Sequence, residues 1–173
     1  TNLERNLYLT SQLIDMNIKV VIALNMFDEL KNSGASFNHM GFSSLLGIPV
    51  IPTVGSRGSG LARLFDAIIS KSKQEEVNRK KVHVNYGPDL EKSIATIRNC
   101  LISNEKNDKS CPRYVAIQLL EGDKELAELS HEITDTRKLL EKVEQEKQSI
   151  EEKYNDSSEN IFTDYRYGFI KGA

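Results

Sequence analysis

The run Val20, Val21, Ile22, Ala23, Leu24 empties directly into Asn25-Met26-Phe27-Asp28. This junction constrains the fold more than any other feature of the chain. An almost wholly apolar, β-branched run reads as a strand buried on both faces, the signature of a parallel sheet covered by helices. Open α/β sheets place their ligands at the carboxyl ends of such strands, and here that end carries a side-chain amide and a carboxylate. The expected strand covers Lys19 to Leu24. A helix from Leu3 to Met16 precedes it, with Leu3, Leu7, Leu13 and Ile14 at three- and four-residue spacing.

After the strand, a polar loop is expected from Asp28 to Ser36, then a helix from Phe37 to Leu46 stopped by Gly47. Ile48 to Pro52 forms the second strand; its two prolines suit a sheet edge, because proline cannot donate to a ladder. Thr53-Val54-Gly55-Ser56-Arg57-Gly58 follows as a Gly/Ser-rich loop, and Gly60 opens a helix with Leu61, Leu64, Phe65, Ile68 and Ile69 on one face. Two strands cannot by themselves bury both faces of a doubly wound sheet, so further strands are expected before Thr1, with a rearranged or swapped fragment as the alternative.

Composition shifts between Ser70 and Lys81, and the remainder reads as helical. Helices are expected from Leu90 to Ile102 and from Arg113 to Leu120, each with a proline near its first turn. A long segment from Lys124 to Tyr154 carries a stripe through Leu126, Leu129, Ile133, Thr136, Leu140, Val143, Lys147, Ile150 and Tyr154. That stripe suits a helix or hairpin packed on its own domain better than an intermolecular coiled coil. Asn155 to Glu159 is expected as a loop, and Asp164 to Ile170 starts a short final helix that ends near Gly172-Ala173. The fold class is therefore α/β, a partial doubly wound domain with a mostly parallel sheet over residues 1–75. A linker at 76–82 and an all-α domain over 83–173 complete a mostly helical chain.

Charge narrows the function. A net charge of −2 and a pI near 6.0 disfavour a general nucleic-acid binder, whose domains usually exceed a pI of about 9. No apolar stretch approaches the roughly 20 residues of a spanning helix. Cys100 and Cys111 lack C-x-x-C spacing and read as reduced, packed thiols. His39, His83 and His131 are scattered, so no metal site is expected. The Asp28 carboxylate can accept from the ring N–H and the exocyclic amine of guanine together, while the Asn25 amide bridges the base and nearby loops. Adenine presents a different edge. No Gly-rich loop ending in Lys-Ser/Thr and no Asp-x-x-Gly after an apolar run occurs in the chain, so no catalytic residue is expected within it.

Several segments together resemble the intracellular part of bacterial ferrous iron transport protein B, FeoB. They are Asn2 to Thr10, Val21 to Asp28, Leu46 to Pro52, Tyr86-Gly87-Pro88, Leu119 to Asp123 and Arg166-Tyr167, in order along nearly the whole chain. The resemblance implies the latter part of a P-loop GTPase-type domain followed by a helical domain that acts like a guanine-nucleotide dissociation inhibitor. It implies GTP/GDP as ligand, held by Asn25 and Asp28, with Met26 packing beside the base and Val54, Gly55 and Ser56 as the loop covering it. A glycine in that loop implies looser base retention. Magnesium is expected in the complete domain from ligands outside this sequence, and a chain of only these residues is expected not to hydrolyse GTP.

The resemblance also implies a location at the cytoplasmic face of the bacterial inner membrane. The expected partners are guanine nucleotide and a membrane transport domain of the same polypeptide, with a homo-oligomer left open and no nucleic acid. Two other readings stay open: a translational GTPase of similar motif, and a helical adaptor module in which Asn25 and Asp28 are incidental.

Overall fold

The computed structural model describes residues 2–34, 36–74, 83–104, 111–123 and 136–172. It divides into two compact units, Thr1–Met16 with His83–Gly172, and Asn17–Val82. The expected linker at 76–82 and the amino-terminal part of the long helical segment lie outside the described residues.

The smaller unit holds two short parallel strands, β1 (Ile22–Leu24) and β2 (Val50–Pro52), registered Ile22 to Val50, Ala23 to Ile51 and Leu24 to Pro52. Strand β1 is shorter than the Lys19 to Leu24 run. Its burial also departs from expectation: Ala23 is exposed and its neighbours are half-buried, because β2 is its one partner among the described residues. Between the strands lie α2 (Phe27–Asn32) and α3 (His39–Leu46). Helix α2 replaces part of the expected loop. It buries no residue, so it left no apolar periodicity to read.

Helix α3 starts where Asn38 Oδ1 accepts from the Gly41 N–H at 2.9 Å, a side-chain N-cap, and stops at Gly47 in the left-handed region. It lays Phe42 and Leu46 beside Ile48 and Val50 as a small buried core. Helix α4 (Leu61–Lys73) presents the expected apolar face, yet Leu61, Phe65, Ile68 and Ile69 are all exposed, Phe65 by 58%.

The larger unit is helical: α1 (Asn2–Asp15), α5 (Gly87–Asn104), α6 (Pro112–Glu121), α7 (Thr136–Tyr154) and α8 (Ser158–Gly172). Leu90, Ile94, Ile97 and Leu101 recur at three- and four-residue spacing along α5 and are buried against Ile117 and Leu120 of α6 and Phe162 of α8. Each such side chain contributes about 1.5–3 kcal/mol of burial. The α7 stripe is spent inside this core through Leu139, Val143 and Ile150; Leu139 rather than Leu140 is the fully buried member. Helix α8 begins at Ser158, six residues before the expected start at Asp164, and ends at Gly172, near the expected end. Asn155 in the left-handed region turns the chain, and the Ser158 hydroxyl donates to the Leu120 carbonyl to fix where α8 begins.

Helix α1 packs on α8, so its place is with the helical unit rather than with the strands it precedes in sequence. A buried polar cluster accounts for this. Arg166 of α8 reaches Asp15 at 3.4 Å and Glu121 at 2.5 Å, and the Tyr86 hydroxyl donates to Asp15 Oδ2 at 2.5 Å. The Arg166 guanidinium lies 5.6 Å from the ring centres of both Tyr8 and Tyr86, which suits a weakly hydrated cation in an apolar setting.

Candidate functional site

The two strands leave the sheet side by side, and backbone bonds keep them together beyond it. The Thr53 N–H donates to the Leu24 carbonyl at 2.9 Å, and the Phe27 N–H donates to the Thr53 carbonyl at 3.2 Å. Asn25 and Val54 are thereby brought to one end of β1 and β2, as the strand-to-loop junctions in the sequence suggested.

Asn25 then joins the loops through its side chain. Its Oδ1 accepts from the Gly55 N–H at 3.0 Å, across 30 positions of sequence. The carbonyl end is so engaged, and the Nδ2 end of the same amide carries two N–H donors. Met26 adopts φ 59 and ψ 30, a left-handed conformation that costs a non-glycine residue on the order of 1 kcal/mol. That turn starts α2 and places Asp28 in its first turn, half-buried, while Met26 itself is 54% exposed.

The second loop is a tight 3-10 turn over Gly55–Arg57. The Arg57 N–H donates to Val54 O at 3.1 Å, and the Val54 N–H to Ser59 O at 2.9 Å. Val54 is half-buried, whereas Gly55 and Ser56 are exposed. The glycine requirement falls elsewhere than expected. Gly55 takes no positive φ, and a Cβ there would sit 3.4 Å from Asn25 Oδ1; Gly60 takes φ +83, and a Cβ there would meet the Pro52 carbonyl at 2.2 Å. Gly60 is therefore the residue that lets α4 begin hard against the end of β2.

Beside these loops opens a groove of about 400 Å³ lined by Asp28, Lys31, His39, Val54, Arg57 and Arg63 among others. Arg57 Nη2 lies 3.8 Å from Asp28 Oδ2, and Lys31 Nζ sits over the Phe27 ring at 5.2 Å. His39 meets Phe27 edge-on, centroids 5.8 Å apart. No group of three or more His, Cys, Asp or Glu able to hold a metal ion occurs among the described residues. The groove thus sets one carboxylate among basic and aromatic side chains.

A sequence profile of the family described as Ferrous iron transport protein B matches residues 1–68, and one described as FeoB cytosolic helical domain matches residues 86–173. The chain belongs to the FeoB family.

Its relatives bear this out. It is 41% identical over 99% of its length to an Fe(2+) transport protein A/Fe(2+) transporter FeoB fusion protein of Porphyromonas gingivalis, covering 21% of that protein. It is 35% identical over 71% of its length to the Fe(2+) transporter FeoB of Escherichia coli, covering 15% of it. The chain thus spans about a fifth or less of the curated relatives it matches. Among solved structures, NFeoB from S. thermophilus bound to GDP.AlF4- and K+ superposes with a TM-score of 0.83 at 31% identity, over 98% of this chain and 63% of that one. The mGMPPNP-bound NFeoB of the same organism gives a TM-score of 0.80 at 30% identity, over 97% and 60%. The fold class is thereby that of an FeoB G domain portion with its helical domain.

The buried cluster of the helical unit was not foreseen as a group. Three of its members, Tyr86, Glu121 and Arg166, nevertheless stand in the FeoB-like segments, whereas Asp15 does not. Burial pushes the Glu121 carboxyl up to about 7 against the opposing pull of Arg166, and it also raises Asp15 despite the Tyr86 and Arg166 contacts. Glu91 differs: burial pushes it up, but the bidentate Arg113 at 2.7 and 2.8 Å and the Tyr86 N–H outweigh that and hold it below its ordinary value.

Proposed function

We propose that this FeoB chain reads the guanine base of GTP or GDP, as part of the cytosolic regulatory region of a ferrous iron transporter. Asn25, Met26, Asp28, Val54, Gly55 and Ser56 hold the base. Asp28 accepts from its ring N–H and exocyclic amine, Asn25 Nδ2 donates to its other edge, Met26 covers one face, and the Val54-Gly55-Ser56 loop closes over it. The observation that carries the reading is the Gly55 N–H to Asn25 Oδ1 bond, which locks the amide and the loop to each other three residues from the carboxylate. The NFeoB structures bound to GDP.AlF4- and to mGMPPNP support it.

Nucleotide state is coupled to Fe(II) uptake by a membrane domain of the same polypeptide, at the cytoplasmic face of the inner membrane. Helix α1 is the covalent route for that coupling. The Ferrous iron transport protein B profile covers it, yet Asp15 at its end is clamped by Arg166 of the helical unit. Magnesium, when bound in the complete G domain, supplies charge neutralisation at the phosphates.

Competition of unlabelled GDP, ADP and IDP against fluorescent GDP tests the base assignment. GDP is expected to compete best, and equal competition by ADP overturns the assignment.

A further inference from the structure

Among the described residues, Asp28 is the one carboxylate lining the groove beside the loops, which four basic side chains also line: Lys31, His39, Arg57 and Arg63. They are not equivalent. Lys31 is taken up over the Phe27 ring, and His39 packs on the same ring, whereas Arg57 brings Nη2 to 3.8 Å from Asp28 Oδ2. Its position is set by the backbone. The Arg57 N–H is bonded to Val54 O, and the Gly58 N–H donates to Gly55 O at 3.3 Å, so the turn holds the Arg57 stem beside the carboxylate. A separation of 3.8 Å is an ion pair without a hydrogen bond, which can be exchanged for a better partner.

We propose that Arg57 is a counter-ion to the base-reading carboxylate and that guanine must displace it to bind. The inference rests on the assignment of Asp28 as the guanine contact. Both oxygens of Asp28 are needed for the two adjacent donors of guanine, and an Arg57 guanidinium on Oδ2 competes for one of them. Arg57 thereby lowers the affinity contributed by the exocyclic amine and sets how fast the base leaves. Its own side chain is 75% exposed against 28% for Asp28, so the competition is of the modest size typical of an exposed pair, and it weakens with salt.

The test measures GDP and IDP binding to the complete gene product as wild type, Arg57→Gln and Asp28→Asn, at low and high ionic strength. IDP lacks the exocyclic amine, so the GDP:IDP affinity ratio isolates the Asp28 contact and cancels any attraction of Arg57 for the phosphates. The expected result for Arg57→Gln is a GDP:IDP ratio raised about two- to fivefold at low salt, with the gain shrinking at high salt. An unchanged or lowered ratio in Arg57→Gln, while Asp28→Asn abolishes the preference for GDP, overturns the counter-ion role and leaves the base assignment standing. A GDP preference that survives Asp28→Asn overturns the base assignment and the counter-ion role with it.

Discussion

Arg166 and Asp15, 151 positions apart, form an ion pair in which both side chains are wholly buried, with Nη2 3.4 Å from Oδ2. The pair closes α1 onto α8 and recruits Tyr86 and Glu121. Two carboxylates share a single guanidinium, and Asp15 Oδ1 and Arg166 Nε have no hydrogen-bond partner among the described residues. Such a cluster is costly to break from one side, because the partner left behind is a buried charge without compensation.

Arg166→Met is accordingly expected to destabilise the chain by about 3–5 kcal/mol in urea unfolding. Asp15→Asn in the same background is expected to restore part of that loss, since it removes the orphaned charge. Strictly additive losses in the double variant would show that the two groups do not interact.

The cluster also dictates a pH dependence. Glu121 has a folded pKa raised to about 7 from an ordinary 4.5. The folded state therefore holds more protons than the unfolded one between those values, and stability falls as pH rises through that window. Asp15, raised in the same direction, adds to the trend. Below it, Glu91 and Asp89 work the other way, because their lowered pKa values make protonation unfavourable to the fold. The midpoint of thermal unfolding is expected to rise as pH is lowered from 7.5 toward 5 and to decline again in stronger acid. Glu121→Gln is expected to flatten the upper limb.

How much of this was legible in the sequence depended on whether the cause was local. The Gly47 stop and the opening of α4 at Gly60 are matters of adjacent residues, and the structure places them as read, whereas the apolar run forms a shorter and less buried strand than its residues suggest. Helix α2 escaped because it buries nothing and so carries no periodicity. The attachment of α1 to the helical unit escaped because its cause, Arg166, lies at the opposite end of the chain. The start of α8 at Ser158 depends on a bond to Leu120, 38 positions away, which no local pattern can announce. For the site, residue types and the junctions of both strands were readable; the Gly55 to Asn25 bond and the Arg57 to Asp28 pair required the fold.

Two glycines separate strain from simple helix propensity. Gly60→Ala places a Cβ 2.2 Å from the Pro52 carbonyl at a φ of +83 and is expected to cost upwards of about 1–3 kcal/mol and to weaken guanine binding. Gly168→Ala lies inside α8 with nothing within 4 Å of the new Cβ, and is expected to stabilise by about 0.5–1 kcal/mol. Denaturant midpoints of the two variants, measured side by side, check the contrast.

Asn25→Ala removes the acceptor of the Gly55 N–H and is expected to lower guanine-nucleotide affinity and speed release while changing stability by about 1 kcal/mol or less, since the bond is exposed. Stopped-flow displacement of fluorescent GDP reads the release rate directly. A variant that releases at the wild-type rate would show that the bond does not hold the loop.

The central claim is that Asp28 reads the guanine base through its carboxylate. Its most direct test is the relative affinity of Asp28→Asn and wild type for GDP and xanthosine diphosphate, because the amide offers a donor where the carboxylate only accepts. A reversal of preference toward xanthosine diphosphate in the variant is the predicted result, and an unchanged preference for GDP would contradict it.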